Sequence, residues 1–135
     1  MINKKLEDKT INQMQPLVLA MIGDSVQTLF VRTEVALRYG VKVNKMNKLV
    51  SSVVQAGSQF KTFKKIEESL TEQEADIARR ARNTHIHTKA KNFSYNEYIY
   101  ATALEAVIGY LYLSGKEERL NEILEKSLEE INLEV

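Results

Sequence analysis

The stretch that decides the fold is LVLAMIGDSVQTLFV at residues 17–31, an apolar run that contains a single acidic side chain, Asp24. Pro16 precedes this run and suits the first turn of a helix, whereas Gly40 suits a C-terminal cap. The sequence therefore predicts one long helix over about residues 17–39. Its first half is apolar almost all round, which is typical of a helix that is buried.

A second apolar run, ATALEAVIGYLYL at residues 101–113, has the same character, and its single acid is Glu105. Both helices are therefore predicted to be largely buried. The longest unbroken apolar stretch, residues 17–22, is far shorter than the roughly 18 residues that a helix needs to span a bilayer. No membrane partner is predicted.

The composition indicates one helical domain. The chain has 135 residues, of which 44% are hydrophobic and 27% charged, as in typical globular domains. Five glycines and one proline are too few for the many turns of an all-β fold. Two pairs of residues, Thr71 with Glu74 and Ser94 with Glu97, have the spacing of capping boxes and are predicted to open helices.

The rest of the chain extends this pattern. Asn44 is predicted to cap a helix with lysines on one side, and Gly57 to separate that helix from a segment at residues 59–69. Residues 83–93 have no helical period and predict a basic loop, while residues 117–131 are amphipathic. We predict an all-α fold of six or seven helices.

Charge is segregated along the chain although the net charge is only +1. Residues 35–66 contain seven Lys or Arg and no acid, and residues 78–96 contain five more, again with no acid. Residues 115–135 reverse the balance with seven Glu. This pattern predicts that a basic face meets a polyanion such as nucleic acid, although a solvated helix surface would show the same pattern.

Several other chemistries are excluded or weakly supported. The absence of cysteine excludes disulfides, thiolate zinc sites and a cysteine nucleophile, and fits a reducing cytoplasm. His85 and His87 lie two residues apart, yet without a third ligand nearby they are better explained as exposed or RNA-contacting side chains than as a metal pair. The six tyrosines are expected to pack in the core more often than to stack on bases.

Asp24 and Glu105 are the strongest candidates for chemistry. Neither has a Lys or Arg three or four residues away on its own helix, so each is expected to need a partner from elsewhere. That partner is a basic side chain, a hydroxyl or helix cap, or a divalent cation shared by both carboxylates. The residues alone leave two interpretations open. The carboxylates are structural groups with buried ion-pair or hydrogen-bond partners, or they supply oxygen ligands to Mg²⁺.

These segments resemble a known family. LAMIGDSV at residues 19–26 is similar to the signature helix of the ribonuclease III endonuclease domain, and YATALEAVIGYLYL at residues 100–113 resembles the second catalytic segment. The sequence RARN at residues 80–83, followed by a basic loop, is similar to the Mini-ribonuclease III branch, which lacks a double-stranded-RNA-binding domain. The resemblance covers about residues 15–131 and implies a single endonuclease domain over residues 1–135.

The resemblance is incomplete at two positions. Typical ribonuclease III domains carry a Glu seven residues before the signature Asp and an Asp three residues before the second Glu. Leu17 and Thr102 stand there, as in the Mini branch, which lacks both acids. The resemblance therefore implies only Asp24 and Glu105 as catalytic and metal-binding residues, and leaves the number of metal ions open.

The implied activity is Mg²⁺-dependent hydrolysis of double-stranded RNA, with Mn²⁺ able to replace Mg²⁺, to leave 5′-phosphate and 3′-hydroxyl ends. The implied enzyme is a homodimer that matures the precursor of large-subunit (23S) ribosomal RNA, with a ribosomal protein as a candidate helper. The residues expected to bind RNA lie in and before the basic loop: Arg79, Arg80, Arg82, Asn83, His85, Lys89 and Lys91.

Two other functions compete with this one. A non-catalytic RNA-binding or ribosome-associated module on the same fold would be expected to lose Asp24 or Glu105, and both are present. A helical protein-interaction domain would have no need of two segregated basic stretches. An endoribonuclease is therefore the preferred interpretation.

Overall fold

The structure is a computed structural model that describes residues 4–84 and 93–135, with only the main chain described at residues 93 and 94. Within these ranges the chain is all-α, as predicted, and contains no strand. Two short 3-10 turns, Glu67–Ser69 and Leu128–Glu130, each directly follow one of the α-helices given next. The helices are α1 (Asp8–Asn12), α2 (Pro16–Tyr39), α3 (Val43–Val54), α4 (Ala56–Ile66), α5 (Glu72–Asn83), α6 (Phe93–Leu113) and α7 (Glu117–Ser127).

The two apolar helices, α2 and α6, cross at the centre of the molecule with their backbones in contact. A Cβ atom placed on Gly23 would lie 1.7 Å from the carbonyl oxygen of Glu105, and one placed on Gly109 would lie 2.1 Å from the carbonyl oxygen of Leu19. No side chain fits in either position. The two glycines therefore allow a crossing so close that main chain packs against main chain.

The other helices cover this central pair. The main core combines buried side chains of α6, such as Leu104 and Ile108, with those of the helices around it. Side chains from α2, α4, α5 and α7 contribute, among them Leu19, Phe63, Ile77 and Ile123. A smaller cluster packs α3 against the second half of α2, with Val31, Val35, Leu49 and Val53 buried and Leu128 beside them. No helix in the described ranges is long and apolar enough to cross a membrane.

Several predicted helix ends are confirmed. The helix α2 has Pro16 at its first position and ends at Gly40, whose φ of 55° is left-handed. In α5, Thr71 and Glu74 form the predicted capping box: the Thr71 hydroxyl accepts from the Glu74 amide, and the Glu74 carboxylate accepts from the Thr71 amide. The predicted cap at Ser94 lies outside the described side chains.

Two local predictions are wrong, and one short helix was not predicted. The helix α3 begins at Val43 after an extended Lys42, so Asn44 is inside it and caps nothing. The break before α4 lies at Gln55, whose ψ of 154° is extended, and Gly57 belongs to the first turn of α4. The sequence also gave no indication of α1, which has five residues and is too short to show a helical period.

Candidate active site

Asp24 and Glu105 meet at the crossing of α2 and α6. Asp24 directly follows Gly23, and Gly23 packs against the carbonyl group of Glu105. The two side chains lie close enough for the negative charge of Asp24 to act on the Glu105 carboxyl group. Two side chains far apart in the sequence are thus neighbours because two glycines let their helices touch.

The surroundings of the two carboxylates differ. Asp24 is exposed, so the expectation that burial obliges it to find a partner does not hold for this residue. Glu105 is partly buried, and this burial raises its pKa from 4.5 to about 8. A hydrogen bond from Gln59 acts in the opposite direction, and the negative charge of Asp24 adds to the rise.

The candidate site also contains two glutamines that were not predicted from the sequence. The Gln59 Nε2 group donates to Glu105 Oε2 over 3.2 Å and to Gln27 Oε1 over 2.8 Å. Gln27 belongs to α2 and Gln59 to α4, and both are buried. The available signal was Gln27 itself, a polar side chain one turn after Asp24 within an apolar run.

The donor set fits a hard divalent cation. Neither carboxylate has a salt bridge to a Lys or Arg in residues 4–84 and 93–135, and the same ranges contain no group of three His, Cys, Asp or Glu that could enclose a metal ion. Two adjacent carboxylates repel each other unless a proton or a cation lies between them. Mg²⁺ takes one or two carboxylates and completes its coordination with waters and phosphate oxygens, which is what these residues offer.

The arginines predicted to bind RNA already have partners within the chain. Arg79 pairs with Asp76, and the Arg80 Nε atom lies 3.7 Å from the same carboxylate. Arg80 Nη1 also donates to the main-chain oxygen of Asn12 over 3.1 Å. Asp76 lies just before the acid-free segment that begins at residue 78, so the basic block is partly neutralised within α5.

Arg82 also has partners within the chain, one acidic and one aromatic. Its Nη1 atom lies 3.8 Å from Glu67, and its guanidinium carbon lies 5.2 Å from the centre of the Tyr100 ring. Asn83, the last residue of α5, is exposed. The remaining predicted contacts, His85, Lys89 and Lys91, lie outside the described residues.

The first basic stretch is neutralised in part by the acidic C-terminal segment. Arg38 lies 3.2 Å from Glu125, and Lys65 lies 2.6 Å from Glu130. Lys64 pairs with Glu67 over 3.3 Å. Segregated charges in the sequence thus become neighbouring opposite charges in the fold.

Three of the tyrosines, Tyr100, Tyr110 and Tyr112, pack in or against the core, as expected. Tyr110 is buried, and the ring of Tyr100 lies 5.6 Å and 5.4 Å from the rings of Phe60 and Phe63. Tyr39 and Tyr98 depart from this expectation because they are 37% and 50% exposed.

A comparison with protein-family models places this geometry in a known family. The model of the Ribonuclease III domain matches residues 17–116, a range that contains both helices of the crossing and both carboxylates. The chain belongs to the ribonuclease III family. It is therefore an endoribonuclease of that family.

Relatives within the ribonuclease III family resemble the chain over nearly its whole length. The Mini-ribonuclease 3 of Thermoanaerobacter sp. is 41% identical over 93% of this chain and 89% of its own length. That of Staphylococcus aureus is 41% identical over 93% of this chain and 96% of its own length. A crystal structure of a protein from Fusobacterium nucleatum has a TM-score of 0.78 and 36% identity, and the match covers 88% of this chain and 95% of that one.

The positions where this ribonuclease III domain departs from the typical pattern supply no metal ligand. Leu17 is 44% exposed and carries no polar atom. The Thr102 hydroxyl donates to the main-chain oxygen of Tyr98 over 3.0 Å, within its own helix. Asp24 and Glu105 are therefore the acids that the crossing presents.

Proposed function

We propose that the chain is a divalent-metal-dependent endonuclease for double-stranded RNA, with Asp24 and Glu105 as its catalytic metal ligands and Mg²⁺ as the ion. The observation that carries this proposal is the proximity of the two carboxylates, one exposed and one partly buried, at the α2–α6 crossing. An exposed carboxylate beside a partly buried one would hold such an ion where a substrate phosphate can also reach it. Mn²⁺ has similar ligand preferences and is expected to replace Mg²⁺.

The proposed reaction is hydrolysis of a phosphodiester bond. A bound divalent cation would supply charge stabilisation at the phosphate and make a water molecule more acidic. Water adds to phosphorus, the bond to the 3′ oxygen breaks, and the 3′ oxygen takes up a proton, which leaves 5′-phosphate and 3′-hydroxyl ends. The part of Asp24 and Glu105 is to fix the ion and so to fix which phosphate reacts.

Recognition of the duplex is proposed to rest on backbone contacts rather than on base sequence. The proposed contacts are the residues predicted from the sequence, Arg79, Arg80, Arg82, Asn83, His85, Lys89 and Lys91. Arg79 is the most accessible of the arginines, and its pair with Asp76 is exposed, so exchanging that carboxylate for a phosphate costs little. The closely spaced phosphates and shallow groove of A-form RNA suit such recognition of shape.

We further propose that the enzyme acts as a homodimer in which each protomer cuts one strand. The outward face of α2 exposes Val18, Met21 and Leu29 by 45%, 74% and 60% respectively. Contiguous exposed apolar side chains on one helix are typical of an interface. A second copy fits this face because cutting both strands of a duplex needs two active sites, and each chain has one proposed catalytic pair, Asp24 and Glu105.

The proposed natural substrate is the precursor of 23S ribosomal RNA in the cytoplasm, with a ribosomal protein as a candidate helper. The absence of cysteine fits a reducing compartment. The support for an RNA substrate is the family assignment together with the names of its Mini-ribonuclease 3 relatives. The choice among structured RNAs is left to experiment.

The test compares a structured ribosomal RNA precursor with a matched single-stranded RNA, each in Mg²⁺ and in EDTA. We expect cleavage of the duplex in Mg²⁺ alone. The variants Asp24→Asn and Glu105→Gln are expected to lose cleavage by at least about a thousandfold, because each removes a charged ligand while the side chain keeps its size.

The controls separate chemistry from binding and folding. Both variants are expected to bind duplex RNA and to unfold in a cooperative transition like the parent. Binding of duplex without cleavage by the parent chain would support the non-catalytic RNA-binding module instead. Full activity of either variant in a nuclease-free preparation would remove that residue from the catalytic site.

A further inference from the structure

Two buried glutamines beside Glu105 have no part in the function as proposed so far. Gln27 on α2 is fully buried and Gln59 on α4 is 3% exposed. With Glu105 on α6, they form a chain of three polar side chains from three helices at the point where the candidate site joins the core. Buried amides need hydrogen bonds, so their arrangement is determined by what they contact.

Gln59 uses its amide nitrogen for two contacts at once. Its Nε2 atom lies 3.2 Å from Glu105 Oε2 and 2.8 Å from Gln27 Oε1. An amide nitrogen carries two hydrogens, so one is directed at each oxygen. Gln59 therefore presents only a donor to Glu105, which suits a carboxylate in its ionised, metal-binding form.

Gln27 determines which end of the Gln59 amide faces Glu105. If the Gln59 amide were turned over, its oxygen would lie against both the Gln27 oxygen and the Glu105 carboxylate. Three acceptors in contact repel one another, so this orientation is excluded while Gln27 presents its oxygen. Gln27 acts on Glu105 through Gln59, without contacting Glu105 in the described hydrogen bonds.

The arrangement is costly to the fold, which argues for a role in function. The Gln27 Nε2 group is buried and has no hydrogen-bond partner among the described residues. An unpaired buried amide destabilises a core that an apolar side chain of similar size would fill without loss. Stability alone therefore does not explain why a glutamine occupies this position.

We propose that Gln59 is a positioning residue that holds the Glu105 carboxylate in its metal-binding orientation, and that Gln27 holds Gln59. This inference rests on the proposed function, since it gives Glu105 the task of binding the ion. Neither glutamine is expected to touch RNA, because both are buried.

The experiment replaces each glutamine with an apolar side chain of similar length, in Gln59→Met and Gln27→Met. The matched control is Thr62→Val, one turn after Gln59 on α4. Thr62 is buried, and its hydroxyl has no hydrogen-bond partner among the described residues, so valine replaces it without loss of a contact. The control shows how far a polar-to-apolar substitution on this face of α4 changes activity and Mn²⁺ binding by itself.

Three readouts distinguish positioning from general damage. We expect Gln59→Met to lower kcat on duplex RNA by about 10- to 100-fold, the usual effect of removing a residue that supports a metal ligand, while KM changes less than about twofold. The dissociation constant for Mn²⁺, measured by electron paramagnetic resonance without RNA, should rise about tenfold or more. Gln27→Met should change both quantities in the same direction by a smaller factor, and Thr62→Val neither.

Each outcome decides the question. Unchanged kcat and Mn²⁺ binding in Gln59→Met would overturn the inference, as would an equal loss in Thr62→Val. If Gln59→Met does not fold, the result for Gln27→Met decides in its place. Asp24→Asn and Glu105→Gln are measured beside these variants: if they also cleave and bind Mn²⁺ normally, the proposed function itself fails, whereas loss in those two alone rejects only the role of the glutamines.

Discussion

Glu105 links the charge of the candidate site to the stability of the fold. Burial raises its pKa from 4.5 to about 8, with the charge of Asp24 adding to the effect. Between these two pH values the unfolded chain releases a proton that the folded chain retains. The contribution of Glu105 to the free energy of unfolding is therefore full below about pH 4.5 and is lost as the pH rises through about 8.

This gives a prediction for the metal-free protein. In EDTA, the melting temperature should fall between pH 5.5 and pH 8.5, because ionised Glu105 faces Asp24 in a partly buried position. Glu105→Gln should fall less over the same range, since it has no proton to release. Circular dichroism melts of both proteins measure the difference, and identical slopes would show that Glu105 does not titrate in this range.

The candidate site was predictable from sequence only in part. Asp24 and Glu105 were identified because a lone acid in an apolar helix is unusual. Gln59 could not be identified in this way, since an uncharged amide is common on helix surfaces and its burial follows from how α4 packs. The three-residue spacing of Asp76 and Arg79 allows their pairing on one helix, but Asp76 lies just outside the acid-free range 78–96.

At the scale of helices, the α2–α6 crossing depends on two positions without a side chain. In Gly23→Ala the new Cβ would meet the Glu105 carbonyl oxygen at 1.7 Å, so the two helices would have to separate. We expect destabilisation of about 3 kcal/mol or more, at the upper end for overpacked cores, because backbone cannot move aside as a side chain can. Cleavage should fall with it, since the carboxylates would part.

The matched control for this change is Gly57→Ala in α4. A Cβ there would come no closer than 3.6 Å to any neighbour, the Glu97 carboxylate. Alanine is the better helix former, so we expect this variant to gain about 0.5 to 1 kcal/mol. Urea unfolding of both variants provides the measurement, and a mild effect of Gly23→Ala would show that the backbones do not touch as described.

Helix ends were predictable where a residue has one dominant backbone role. Pro16 and Gly40 bound α2 as predicted, because proline has no amide hydrogen and glycine adopts positive φ freely. Asn44 failed as a signal because the first hydrogen bond of α3 runs from the Met46 amide to the Lys42 carbonyl, which starts the helix before Asn44. A preferred capping residue does not act where an earlier carbonyl already accepts.

At the scale of the whole molecule, a substitution on the exposed face of α2 tests whether two copies assemble through it. Met21→Glu would place a charge in the middle of the proposed interface between two copies. We expect the dimer dissociation constant to rise at least about a hundredfold, roughly 3 kcal/mol, because a buried unpaired carboxylate is costly. Val43→Glu, on α3 and 70% exposed, is the control and should leave assembly unchanged.

Sedimentation equilibrium of the three proteins over a range of concentrations measures this effect. The parent and Val43→Glu should sediment as dimers and Met21→Glu as a monomer. A monomeric parent would contradict the proposed assembly. The fold class and the central helices followed from the sequence, but the pairing of charges across the molecule did not, because it depends on how α4 and the C-terminal segment are brought together.

The glycine crossing also bears on how the chain is made in the cell. Asp24 is synthesised early and Glu105 late, and the two meet only when α6 packs onto α2. Under the proposed function, a nascent chain has no nuclease activity until translation has passed α6 and the helices have docked. RNA close to the ribosome that synthesises this enzyme is thus not exposed to its activity while Asp24 and Glu105 remain apart.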